Sequence, residues 1–354
     1  MHTFTRRKLL GCLAATGSLP LLSACVAPSQ SRTLIPTEPA RTAMLLPLTG
    51  PQARLGQSMA KAVWLVEDRS GLRQRVEIFD TGPSPVGAAA AARLADGAGA
   101  EVIVGPLFAD HTASVMKTKP RAQVISLSND DRLTETGAWV FGVTPAHSAE
   151  AAVAFTKQKG FGSMAMLQPG GAFGVRSAEA LARAARAQRV KLMPPIQNAN
   201  PGDFNRRLNA NADGVAADSI YIPAADAEGL KLARMAGSAG KAVIGSLQWA
   251  DVPPDTLGDI KSMSFTGPDP TLFGRLSSSY QNELGEEMGI ISGLAVDAVM
   301  LAFGLPRDRR GQVQLAGNAP VEGLLGQCSF RKDRTCMRNL AILQVNNGRI
   351  VKVG

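Results

Sequence analysis

Residues 42–51 read Thr-Ala-Met-Leu-Leu-Pro-Leu-Thr-Gly-Pro. A short apolar run, closed by proline and then by Thr49-Gly50-Pro51, predicts a strand buried on both faces and ending in a turn. The pattern returns along the chain. Val76-Glu77-Ile78-Phe79 ends at Asp80-Thr81-Gly82, 101–104 at Gly105-Pro106-Leu107, and 124–127 at Ser128-Asn129-Asp130. Helical segments separate these runs: 57–68, with Met59, Ala62, Val63 and Val66 near one face, then an alanine-rich 88–94, then 111–117. Strands alternating with amphipathic helices predict an α/β fold with a mainly parallel sheet covered on both sides.

A second series begins after Phe141-Gly142-Val143-Thr144-Pro145. It offers helices at 149–159 and 177–188 and strands at 163–167, 191–193, 219–222 and 242–245, with no internal repeat in the sequence itself. The end of the chain differs. An apolar helix is expected over 294–303, and 326–353 reads as antiparallel strands turning at Lys332-Asp333 and Asn347-Gly348. A hairpin centred on Lys332 sets Cys328 opposite Cys336, a geometry that permits a disulfide in an oxidising compartment.

The N-terminus reads as an export signal. Arg6, Arg7 and Lys8 precede an apolar stretch from Leu9 to Leu22 that is broken by Gly11, Gly17 and Pro20. It is too short and too interrupted for a permanent membrane span. Its end, Leu22-Ser23-Ala24-Cys25, resembles a bacterial lipobox, which implies cleavage after residue 24 and lipidation of Cys25. Thr5-Arg6-Arg7-Lys8 also resembles a twin-arginine signal, so Sec and twin-arginine export both stay open. Residues 25–40 carry three prolines and few core residues, as expected of a tether. Val26 after the cysteine resembles lipoproteins sorted to the outer membrane.

Composition narrows the function classes. Aromatic residues make up 5% of the chain, which argues against a base-stacking nucleic-acid platform. Three histidines and four cysteines without zinc spacing leave no expected metal or cofactor. Gly-x-Ser-x-Gly is absent, and Asp130-Asp131 reads as a solvated loop pair, so no enzyme is expected. The net charge is +9, three of those cations belonging to the leader. An excess of cations suits anionic neighbours such as lipid headgroups or cell-wall polymers.

The ordered set of Met44–Pro51, Asp80-Thr81-Gly82, Val104–Leu107, Ile125–Asn129, Phe141–Pro145, Gly171-Ala172-Phe173-Gly174 and Ala295-Val296-Asp297-Ala298 resembles type I periplasmic binding proteins of the leucine-binding class. With the lipobox it looks closest to the branch of lipoproteins that activate penicillin-binding proteins. The resemblance spans about residues 41–353 and implies two lobes joined by three crossovers. They fall near Thr144-Pro145, near 265–268 and near 323–326, giving lobe one as 41–144 plus 268–320 and lobe two as 146–264 plus 326–353.

In such sheets ligands lie beyond the carboxyl ends of the strands. Thr49, Gly50, Gly105, Ser126, Ser128 and Asn129 stand there in lobe one, where turn and cap roles account for the same residue types. In lobe two, Phe173 stands where related amino-acid binders carry tyrosine. The resemblance therefore implies a penicillin-binding protein as partner and activation of peptidoglycan synthesis. The alternative is a solute-binding lipoprotein for amino-acid transport, with a small molecule in the cleft. Cys25→Ala is expected to abolish fatty-acid incorporation in metabolic labelling; label retained by the variant contradicts the anchor.

Overall fold

The computed structural model describes residues 39–70, 76–197, 200–209, 216–317 and 319–354. The export signal, Cys25 and nearly all of the tether lie outside the described residues. Lobe one is built on a five-stranded parallel sheet: β1 (Thr42–Leu46), β2 (Glu77–Asp80), β3 (Val102–Val104), β4 (Gln123–Ser126) and β5 (Trp139–Val140), in the order β2-β1-β3-β4-β5. Helices α1 (Ala53–Ser70), α2 (Pro85–Gly97) and α3 (Ala109–Lys117) connect its strands. Side chains alternate across a strand. Met44 and Leu46 therefore face α1 and its Met59 and Val63, whereas Ala43 and Leu45 face the alanines of α2. Each fully buried Leu or Val contributes about 1.5–3 kcal/mol, and both faces of β1 are dry.

Lobe two repeats the plan. Its helices are α4 (Pro145–Gln158), α5 (Gly171–Gln188), α6 (Pro201–Asn209), α7 (Ala227–Ser238) and α8 (Pro254–Gly258). Strands β6 (Ser163–Met166), β7 (Lys191–Leu192), β8 (Ser219–Ile222), β9 (Ala242–Gly245) and β10 (Met263–Gly267) run parallel. The chain then returns to lobe one through α9 (Pro270–Leu284) and α10 (Ile290–Phe303), whose Leu276, Tyr280, Leu294 and Ala298 join the first core. A hairpin of β11 (Cys328–Phe330) and β12 (Cys336–Arg338) follows, and β13 (Ala341–Asn346) and β14 (Arg349–Lys352) complete the lobe-two sheet antiparallel. No described helix is long and apolar enough to cross a membrane.

Two sequence expectations need correction. Cys328, Phe330 and Cys336 pack in the lobe-one core, so the third passage into lobe two falls at Asn339-Leu340 and not near 323–326. The β11–β12 register also sets Cys328 opposite Arg338 and Phe330 opposite Cys336. That is a shift of two residues from a hairpin centred on Lys332, because Arg331 closes the turn by hydrogen bonding to Thr335 O and Arg334. Both cysteines are buried, and although they are not directly opposite their side chains stand within hydrogen-bond reach of each other.

The crossovers are tied by buried polar groups. Asp297 on α10 accepts from Leu324 N at 2.6 Å and Leu325 N at 3.0 Å, and Arg338 Nη1 donates to its Oδ2 at 3.1 Å. The guanidinium lies 4.5 Å from the centre of the Phe141 ring and donates to Phe141 O at 3.5 Å. One buried ion pair therefore joins α10, the first crossover and the residue before the third. Gly323 is required beside it, since a Cβ there would stand 2.7 Å from Asp297 Oδ2. His147 adds a second tie. Its Nδ1 accepts from Thr144 N at 3.0 Å, which leaves the proton on Nε2 to donate to Cys336 O at 2.8 Å.

Burial pushes the Asp297 carboxyl up against the downward pull of Arg338. Arg338→Met strands a buried carboxylate and is expected to cost about 3 kcal/mol at neutral pH in urea unfolding. A raised folded pKa favours the protonated group, so the loss shrinks as pH falls towards the unfolded value of 3.8 and grows as pH rises through the raised one. A neutral-pH loss below about 1 kcal/mol contradicts this role.

Candidate functional site

A cavity of about 540 Å³ opens between the lobes, at the carboxyl ends of the parallel strands. Lobe one supplies Leu107 and Phe108 after β3, Leu127 and Asn129 after β4, and Ile290 and Ile291 at the start of α10. Lobe two supplies Ser148 on α4, Phe173 on α5, Tyr221 on β8, and Ser246 to Gln248 with Asp251 after β9. Parallel topology explains this placement, since every βα loop of a lobe emerges on the same side. A second groove, about 610 Å³, runs along the outer side of α4 and α5 over alanines 151, 154, 180 and 184. It lies away from the strand ends, so the interlobe cavity is the candidate site.

Of the six lobe-one residues expected in the cleft, Asn129 lines the cavity. The others are occupied elsewhere. Thr49 Oγ1 donates to Asp80 Oδ2 at 2.6 Å, and Asp80 also accepts from Leu48 N and Gly82 N, which stitches the β1 loop to the end of β2 and holds that carboxyl below its usual range despite partial burial. Gly50 turns within the same loop. Gly105 has φ +100°, and a Cβ there would meet Leu45 O at 2.4 Å. Ser126 is fully buried, 2.8 Å from the Thr112 hydroxyl. Ser128 Oγ accepts from Asp130 N at 3.3 Å. The turn-and-cap roles of these residue types account for all five. In lobe two, Phe173 lines the cavity.

Five polar residues of the wall were not singled out from sequence: Ser148, Tyr221, Ser246, Gln248 and Asp251. Ser148 Oγ accepts from Leu247 N at 3.2 Å and from Thr266 Oγ1 at 2.9 Å. Ser246 caps the turn at 247–251 and donates to Pro223 O at 2.5 Å. Tyr221 is completely buried, and its hydroxyl has no hydrogen-bond partner among the described residues. Burial pushes this phenol up; the Ser148 hydroxyl opposes the rise but lies outside hydrogen-bond geometry with it. No sequence signal marks Tyr221, which sits in a strand that reads as core.

The wall is poor in charge. Asp251 is its one charged side chain among the described residues. Outside the cavity the lobes also meet through Arg183 and Asp131, 3.9 Å apart. Among the described residues no group of three or more His, Cys, Asp or Glu is arranged to hold a metal. His111 is buried edge-on against Phe108, and the imidazole of His147 is committed to the crossovers.

A family model described as periplasmic binding protein matches residues 39–349. Among solved structures, the chain is similar to a putative branched-chain amino acid ABC transporter protein from Rhodospirillum rubrum, with TM-score 0.74, 18% identity, and 89% of this chain and 100% of that chain covered. It is similar to the C-domain of LpoA from Haemophilus influenzae, a regulator of PBP1A, with TM-score 0.69, 18% identity, and 88% and 99% covered. It is also similar to the branched-chain amino acid binding protein LivJ from Streptococcus pneumoniae in complex with isoleucine, with TM-score 0.54, 18% identity, and 89% and 99% covered. No curated protein matches. At this identity the likenesses establish the fold.

Tyr221→Phe removes a buried hydroxyl with no partner and is expected to leave stability unchanged or raise it by up to about 1 kcal/mol in thermal unfolding. A loss above that range contradicts the unpaired state of the hydroxyl.

Proposed function

The chain belongs to the periplasmic binding protein family, and from that premise we propose that it is a lipid-anchored, periplasm-facing member that binds and stimulates a penicillin-binding protein in peptidoglycan synthesis. The observation that carries this reading is the charge-poor cleft. A free amino acid brings a carboxylate and an ammonium, and burying either without a partner is costly. Asp251 offers a partner for an ammonium, whereas among the described residues no lysine or arginine lines the wall for a carboxylate. Phe173 adds a phenyl ring where a hydroxyl would otherwise help. The likeness to the LpoA C-domain, a regulator of PBP1A, supports the same reading.

The work of such a protein is done by contact. Anchorage at Cys25 with a proline-containing tether confines the body near its membrane, which raises the effective concentration of a weak encounter. Stimulation then needs only a preference for the active conformation of the synthase. The hinge ties suit this, since a body whose crossovers are fixed presents one constant surface to a partner.

One observation favours a second reading. The unpartnered Tyr221 hydroxyl stands beside a cavity onto which α10 opens at Gly289 without a side-chain cap. Free N–H groups at a helix start favour an acceptor group. A solute with an apolar body and one hydrogen-bond acceptor would fit these features, as in a solute-binding protein of a transporter.

The readings separate in one paired experiment. The purified protein is expected to raise glycan polymerisation or peptide cross-linking by a penicillin-binding protein of the same organism. It is expected to show a thermal shift below about 1 °C with millimolar leucine, isoleucine or valine, because a tight ligand would add stability by mass action. A shift of several degrees without any effect on the synthase favours the solute binder and overturns the first reading.

A further inference from the structure

The end of lobe two that faces away from the cleft is a plate of unpaired cations. Because β6 to β10 are parallel, every loop that leads into them lies at that one end. Backbone bonds join these loops into a continuous edge: Lys191 N to Gly162 O at 2.9 Å, Ala242 N to Asp218 O at 3.2 Å and Val243 N to Ser262 O at 3.0 Å. The sequence fills the edge with basic residues. Lys157 and Lys159 precede β6, Arg186 and Arg189 precede β7, and Lys261 precedes β10, all of them exposed. Arg349 joins them, because β13 runs antiparallel to β10 and carries the turn at Asn347-Gly348 back to the same end.

These six cations have no carboxylate within ion-pair distance among the described residues. Lys157 reaches only Gln188 Oε1, at 3.5 Å, and Lys159 lies over the Phe155 ring at 5.1 Å. The carboxylates described at this edge are Asp218, which accepts from Gly162 N and Ser163 N, and Asp259. At the corresponding end of lobe one part of the charge is paired: Arg41 and Arg307 are held by Glu101 and Arg121 by Asp96, which draws the Glu101 carboxyl down to about 2, while Lys119, Arg309 and Arg310 stand exposed with no carboxylate within ion-pair distance among the described residues. Positive charge thus stands in excess at this end of lobe two, on the side away from the site.

We propose that this plate rests on an anionic lipid bilayer. The form of the surface selects that partner. None of the six cations lines a cavity, and they rise from loop tips along a broad edge, which suits a diffuse sheet of negative charge better than a single bound anion. Large apolar side chains for insertion are missing among the exposed described residues there; Phe161 is half-buried. The contact is therefore electrostatic, screened by salt, and additive to the lipid anchor. With lobe two seated on the bilayer, the cleft and lobe one face away from it.

The test uses residues 25–354 carrying Cys25→Ala, so that neither the leader nor an acyl chain contributes, in flotation with phosphatidylcholine vesicles and with vesicles containing about one-third phosphatidylglycerol. The expected result is binding in excess on the anionic vesicles at low salt, lost at about 0.5 M NaCl where the screening length falls to a few ångströms. Combining Lys157→Glu, Arg186→Glu, Arg189→Glu and Lys261→Glu is expected to lower that excess at least about tenfold with the thermal midpoint unchanged. The corresponding glutamine substitutions give a smaller loss and serve if charge reversal impairs folding. Equal binding to both vesicle types, or an anionic excess that survives both sets of substitutions, overturns the proposal. So does an excess unaffected by salt. Vesicles contain no synthase, so this outcome is independent of the stimulation assay.

Discussion

Asp297 and Arg338 are the one charge pair of the described residues with both side chains almost wholly out of water, at 3% and 0% exposure. Taking two such ions out of water costs several kcal/mol each, and their attraction offsets this only when the remaining valences are also satisfied. Here Asp297 takes two backbone N–H groups from the loop at 324–325 and Arg338 stacks on Phe141, while the Arg338 Nε–H is left without an acceptor among the described residues. Three segments far apart in sequence, the first crossover, α10 and the strand before the third crossover, depend on that one arrangement. Gly323 allows the loop to approach, and the imidazole of His147 fixes the neighbouring backbone.

Each lobe has its own two-sided core, and neither core specifies where the other lobe sits. The buried pair organises the lobe-one ends of the crossovers, and His147 reaches from lobe two to Cys336 O across them; the cavity lies between Leu107 and Phe108 on one side and Phe173 and Tyr221 on the other. The cleft wall is poor in charge, whereas cations stand in excess on the far end of lobe two.

Much of the fold was legible because buried parallel strands are short, apolar and sharply punctuated. Thr42–Leu46, Ser219–Ile222 and Ala242–Gly245 have in the structure the bounds that their turn signals set. Helix starts were less legible. α4 begins at Pro145 and α5 at Gly171, several residues ahead of the expected starts, because proline and glycine in a first turn read as loop although proline suits that position. The helix Ala227–Ser238 was missed. It carries Gly229 and Gly237, which lower helix propensity, yet Gly237 is demanded by Lys261 O, 2.3 Å from where a Cβ would stand. The site was legible only in part. Asn129 and Phe173 follow from their place after a strand and at a helix start, whereas the Tyr221 hydroxyl depends on which face of β8 meets the cleft. The hinge pair was invisible, since nothing in the sequence couples position 297 to position 338, and the β11–β12 register turned on a shift of two residues.

The hinge account is tested most directly by hydrogen exchange at the amides of Leu324 and Leu325. Both belong to a loop, and the Asp297 carboxylate is the acceptor of both. If the buried pair organises the crossovers, these two amides exchange only through large-scale opening, as slowly as the amides of β1, and Arg338→Met speeds them by orders of magnitude. Exchange in the wild-type protein as fast as in the exposed turn at Asn347-Gly348 would contradict it.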